Sequence, residues 1–268
     1  MKLQENIKLL FSKVIEMQPL VHHITNNVTI NDCANVTLAI GGSPVMATSV
    51  EEVGDMTQLA DALVINFGTI DDAMYQAMIL AGQSANRKGI PVIFDPVGVG
   101  ATPFRTARAK DFIGQVKVSI VRGNASEVFA LIGGESKTRG VDAGEISISK
   151  EELARTTSKE LGVITVISGE EDVISNGADI VRIGNGDINL TKITGTGCMT
   201  ASLIACFAGV TEYLFEASIA GMSVMSLAGE LAGKNLAEYE GLGTFRMKLM
   251  DEISLMNGES WEKGVRIR

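Results

Sequence analysis

Short runs rich in valine and isoleucine alternate with helix-like stretches from residue 20 to residue 168, and that alternation leaves few folds open. The strand-length runs are Leu20–Ile24, Ala62–Phe67, Pro91–Phe94, Val116–Val121 and Val163–Ile167. A strand with one wet face alternates apolar and polar residues, and these runs largely do not. Near-continuous apolar strands need cover on both faces, as in parallel sheets crossed by helices. The helical candidates between them are Asn31–Ile40, Val50–Ala60, Asp71–Lys88, Phe104–Ile113, Ala125–Ile132 and Lys150–Leu161. Ahead of them, Ile7, Leu10, Phe11 and Val14 stand at i, i+3, i+4 and i+7, the stripe of an amphipathic helix. Val173–Ser175 and Ile180–Arg182 flank Asn176-Gly177, a hairpin signal that adds an antiparallel edge. After Thr194 the pattern is almost purely helical to about residue 257. The expected fold class is α/β, with helices on both faces of a mostly parallel sheet. No internal repeat and no Pro/Ser-rich linker interrupts it, so residues 1–268 read as one domain.

The net charge of −9 argues against nucleic acid or an anionic membrane as the main partner, because phosphate surfaces attract Lys and Arg. The longest apolar stretches, Cys198–Val210 and Ile219–Gly233, fall short of a membrane span and carry polar residues, so both read as buried helices. Three cysteines cannot make a full disulfide framework, and the charged opening residues lack a signal-like apolar region. A cytoplasmic location is therefore expected.

In open α/β sheets, ligands gather at the carboxyl ends of the strands. The residues just after each apolar run are thus the informative ones. They include Asn26, the Asn66–Thr69 block with Gly68, Asp95, the Arg122–Glu127 block and Ser168. A further segment, Thr194-Gly195-Thr196-Gly197-Cys198, opens a helix. A Gly-x-Gly ahead of a helix bares main-chain N–H groups, and the helix dipole adds to them, which makes an anion hole from Gly195, Thr196, Gly197 and Cys198. An ordinary glycine-rich cap has the same spelling. Neither a P-loop nor an early Gly-x-Gly-x-x-Gly is present.

Asp95 follows a buried run, and Glu127 follows another with Asn124 three residues before it. One or two carboxylates plus substrate phosphates suffice for Mg²⁺. Asn124 as a helix cap and Glu127 as a first-turn acid fit the same spacing. Arg122, at a strand end, is placed for a phosphate. His22 and His23 point to opposite faces of a strand, so one core imidazole and one at the cleft are expected, and a shared metal is not. Cys33 and Cys206 fall in apolar helical patterns as inert thiols, while Cys198 stands apart by its place after the glycine turn. Met46, after Gly41-Gly42-Ser43-Pro44, is the one methionine singled out from core filling.

Six blocks in order give the chain a family likeness: His22-His23-Ile24-Thr25-Asn26, Gly42–Met46, Asn66–Thr69, Asp95–Thr102, Arg122–Glu127 and Thr194–Met199. Together they resemble the hydroxyethylthiazole kinases of thiamine biosynthesis and salvage, within the ribokinase-like superfamily. The resemblance implies a three-layer αβα sandwich and a homotrimer with active sites between subunits. It implies transfer of the ATP γ-phosphate to the hydroxyethyl group of 4-methyl-5-(2-hydroxyethyl)thiazole. Carried over by position, Met46 and Gly195 contact the thiazole, with Asn26 and Gly68 as further substrate-side residues. Arg122, Ser168, Asn124 and Thr194 fall on the ATP side, and Asp95 and Glu127 serve Mg²⁺. The wider superfamily usually has an aspartate base after the glycine turn. Cys198 stands there instead, as is typical of the thiazole kinases. A pyrimidine-alcohol kinase, a covalent thiol enzyme using Cys198 and a non-catalytic binding protein are the competing readings.

Overall fold

The computed structural model describes residues 2–134 and 148–268. Eight strands form one sheet in the order β2-β1-β3-β4-β5-β6-β7-β8. They are β1 (Leu20–Ile24), β2 (Ser43–Val45), β3 (Ala62–Asn66), β4 (Val92–Asp95), β5 (Ile120–Asn124), β6 (Ile164–Ser168), β7 (Asp172–Ser175) and β8 (Ile180–Ile183). The first six run parallel, and β7 and β8 add the antiparallel edge around Asn176-Gly177.

The helices divide by face. On one side lie α1 (Lys2–Met17), α2 (Ile30–Ile40), α8 (Thr196–Ala208), α9 (Leu214–Lys234), α10 (Leu242–Leu255) and α11 (Gly258–Gly264). On the other lie α3 (Val53–Leu59), α4 (Asp72–Lys88), α5 (Pro103–Gln115), α6 (Ala125–Leu131) and α7 (Lys150–Leu161). Alternate sheet residues feed the two cores: Val21, Val64, Ile93 and Val166 face the first, and Ile24, Ile65, Phe94 and Ile167 the second. This is the αβα sandwich anticipated from the strand pattern. Phe67, Phe94 and Phe112 interlock on the second face, with centroids 4.8–5.8 Å apart.

Two strands differ most from expectation. β5 starts four residues later than its apolar run and continues through Arg122-Gly123-Asn124. Val116 and Val118 are buried ahead of it as loop residues, so their hydrophobicity reflects packing and not pairing. β2 lies where Gly42, Ser43 and Pro44 gave no strand signal. It pairs with β1 as a three-residue edge strand, where proline is tolerated. Helix α9 is long and apolar enough to cross a membrane, but 78% of its most apolar window is buried inside the fold. The small residues of α9 serve that burial: a side chain at Gly221 would meet the Ile204 backbone at 2.5 Å, so the close packing is on α8 of the same chain.

Candidate active site

The parallel strands end in register along one edge. Asn66 pairs with Asp95, and Asn124 with Ser168. Asn26 follows β1 beside them, and the amino end of α8 closes over the same edge.

The glycine turn is built for close approach. Gly195 has φ +93°, in the left-handed region that favours glycine, and a side chain there would lie 2.7 Å from Thr29 Cγ2. A side chain at Gly197 would lie 2.3 Å from Nη1 of Arg122. The first amides of α8 have no acceptor within the helix, so Thr196, Gly197 and Cys198 offer donors at its positive end. Residues Gly195–Cys198 are half-buried and not sealed. Thr196 contributes main chain only, since its hydroxyl donates to the Leu190 carbonyl at 3.0 Å. Thr194 is exposed.

Arg122 lies under this turn. Its Nη2 donates to Ser168 Oγ at 2.9 Å, and Nη1 sits 3.9 Å from Asp95 Oδ1. Among the described residues, Arg122 Nε and Asp95 Oδ1 are buried without a hydrogen-bond partner. Asp95 is fully buried, and that burial pushes its carboxyl up to about 7 against the opposing pull of Arg122. The charge of Glu127 pushes in the same direction as burial.

Glu127 makes the helix cap that the spacing allowed. Its Oε1 accepts from Gly98 N and its Oε2 from Asn124 N, both at 2.9 Å, while Asn124 Oδ1 accepts from Glu127 N. The Asp95 and Arg122 loops are thereby tied together through Glu127.

Cys198 is held by two amides. Asn26 Nδ2 and Asn66 Nδ2 each lie 3.3 Å from its Sγ. Asn66 Nδ2 also donates to Asp95 Oδ2 at 2.8 Å. Burial, reinforced by the negative charge of Asp95, raises the Cys198 thiol. Gly68 packs on Asn26, 2.7 Å from where a side chain would begin, and donates its N–H to Asn66 Oδ1.

The structure therefore gathers Asn26, Gly68, Asp95, Arg122, Ser168 and the glycine turn. Met46 is half-buried at the end of β2 on the same edge, without a hydrogen bond to that cluster. Neither histidine faces the cleft, which corrects the expectation for one of them. Both are fully buried on opposite faces of the sheet. His22 Nε2 donates to the Ala47 carbonyl at 2.8 Å, anchoring the residue after Met46, and His23 Nε2 lies 3.0 Å from Ser202 Oγ.

Two residues without an assigned role join the site. Asn66 is the hub just described. Arg105 on α5 donates to the carbonyls of Phe67, Gly68 and Val97, clamping the loops after β3 and β4. A polar residue ending a buried strand was the available signal for Asn66. Arg105 had none.

A late glycine-turn helix over an arginine and acid pair, on this sheet, defines a ribokinase-like small-molecule kinase. Pyridoxal kinase from Bacillus subtilis has the same fold at a TM-score of 0.62, with 15% identity over 79% of this chain and 91% of that one. Residues 11–259 match the hydroxyethylthiazole kinase family model. Hydroxyethylthiazole kinase from Ruminiclostridium cellulolyticum is 42% identical over 98% of this chain and 97% of its own. The protein of that name from Alkaliphilus oremlandii is 45% identical over 95% and 94%. The hydroxyethylthiazole kinase structure from Pyrococcus horikoshii superposes at a TM-score of 0.88, with 35% identity and 98% of each chain covered. The chain belongs to the hydroxyethylthiazole kinase family.

Proposed function

We propose that this chain phosphorylates the hydroxyethyl oxygen of 4-methyl-5-(2-hydroxyethyl)thiazole with ATP, in thiamine biosynthesis or salvage, and does so at the strand-end cluster. One observation carries the site: Arg122 lies directly beneath bare Gly197 and beside buried Asp95. Cationic and main-chain donors thus converge where a phosphoryl group would pass.

Phosphoryl transfer has a loose transition state, so positioning and charge stabilisation do most of the work. The amides of Thr196, Gly197 and Cys198 stabilise charge on the moving phosphoryl oxygens. Arg122 and Ser168 hold the ATP phosphates, with Asn124 and Thr194 on the nucleotide side. Asn26, Gly68, Gly195 and Met46 face the alcohol. Cys198 accepts the alcohol proton late, when the oxygen has become acidic, through its thiolate form, which becomes the neutral thiol and later returns the proton to solvent. Burial and Asp95 raise the thiol, so that thiolate is the minor form at rest.

The acids suit Mg²⁺. Asp95 Oδ1 is an acceptor without a hydrogen-bonding partner among the described residues, and Glu127 acts on it electrostatically. Two carboxylates suffice where substrate phosphates and water complete the shell. Asp95 and Glu127 would hold the ion, which when bound neutralises phosphate charge. Residues 1–268 act as one domain on the single sheet, in a cytoplasmic homotrimer.

The thiol-enzyme reading is weaker on geometry: amides, and not an imidazole, contact Cys198. The test is ADP release with the thiazole alcohol and the hydroxymethylpyrimidine alcohol side by side. Turnover with the thiazole alone is expected, and turnover confined to the pyrimidine refutes the assignment.

A further inference from the structure

The two amide contacts to Cys198 have fixed polarity. The Gly68 N–H can only donate, so the Asn66 atom facing it at 2.8 Å is Oδ1. The Asn66 NH₂ must then face Asp95 Oδ2 and Cys198 Sγ, one hydrogen for each. Asn26 is fixed in the same way. Its Oδ1 accepts from the N–H groups of Val28 and Thr29, both at 3.1 Å, which turns its NH₂ toward Asn66 Oδ1 and Cys198 Sγ. Backbone donors thus settle the orientation of both amides.

The consequence lies at the sulfur. It receives two N–H donors and finds no acceptor on either amide, so a proton on the sulfur must point away from both. The Thr29 hydroxyl stands on one remaining side, and the open side under the turn is the other, since Cys198 is half-buried. Asn66 also stands between the thiol and Asp95, and an amide N–H is no proton carrier near neutral pH.

We propose that Asn66, seconded by Asn26, is a positioning residue for phosphoryl transfer. It turns the Cys198 sulfur toward the acceptor alcohol and separates it from the Asp95 carboxylate. This rests on Cys198 being the proton acceptor proposed above.

The test is a double-mutant cycle on the full chain, with Asn66→Ser and Asn26→Ser each made in the native and the Cys198→Ala backgrounds. In the native background each substitution should lower kcat on the order of tenfold, with KM for ATP held within about twofold in both and KM for the alcohol so held in Asn66→Ser. In the Cys198→Ala background the same substitutions should change kcat by less than about twofold, because residues that act through one another are not additive. An undiminished kcat loss in that background, or an Asn66→Ser loss carried by KM, overturns the positioning role. A Cys198→Ala enzyme with native kcat overturns the role of Cys198 itself, and this inference falls with it. Should Asn66→Ser fail to fold, Asn26→Ser decides, since Asn26 makes no hydrogen bond to Asp95.

Discussion

The guanidinium of Arg122 occupies the space that a side chain on Gly197 would fill, with Nη1 2.3 Å from the position of the missing Cβ. Gly197→Ala should therefore displace Arg122 from the turn. Because the colliding atoms are the tip of a side chain, the fold should hold, with melting within a few degrees of native. Activity should fall about 10²-fold, the scale of losing one preorganised donor at an oxyanion site. Steady-state kinetics beside a thermal melt checks both halves.

Cys198 is the one half-exposed cysteine of the three, since Cys33 and Cys206 are buried with thiols pushed up to about 12. Iodoacetamide at alkaline pH should leave a single adduct, on Cys198, by intact-protein and peptide mass. Cys198→Ala should slow turnover by about 10²-fold or more but leave measurable activity, the range of a general base. Cys198→Asp should remain active, because a carboxylate also accepts a proton. A folded, inactive Cys198→Asp enzyme contradicts the role.

Asp172 supplies a pH test away from the reacting atoms. It is buried, accepts from Ser226 Oγ at 2.6 Å and Gly169 N at 3.0 Å, and burial pushes it up to about 6. An acid raised on folding favours the protonated native state. Its contribution is present below about pH 4, the unfolded value, and is lost as pH rises through about 6. Asp172→Asn keeps the shape and removes the charge. Its melting temperature should match native near pH 4 and exceed it by a few degrees at pH 8. An unchanged difference across that range contradicts the assignment.

Gly221→Ala tests the α8–α9 packing. The added carbon meets Ile204 backbone at 2.5 Å, which cannot swing aside as a side-chain tip can. A loss of about 1–3 kcal/mol by urea unfolding is expected.

The sheet was legible in the sequence where apolar runs and strand pairing coincide. Leu20–Ile24 was read with its boundaries because Pro19 and the polar residues after Thr25 close it on both sides. Val116–Val121 was misplaced because Val116 and Val118 are core residues outside the ladder, while polar Arg122 and Asn124 are inside it. At the site, strand-end position and the Gly-x-Gly pattern pointed to Asp95, Arg122 and Gly195–Cys198. The dual service of Glu127 as a cap shows why spacing alone left its role open. Asn66 and Arg105 act through partners from other strands and loops, such as Gly68, Val97 and Cys198. No local pattern encodes such contacts.

The decisive measurement is a crystal structure with ADP, Mg²⁺, aluminium fluoride and the thiazole alcohol. The fluoride group should lie within hydrogen-bond reach of the Thr196, Gly197 and Cys198 amides, with Arg122 on its flank and the alcohol oxygen toward Cys198. A fluoride group seated elsewhere, with those amides turned to solvent, would contradict the assignment of the glycine turn.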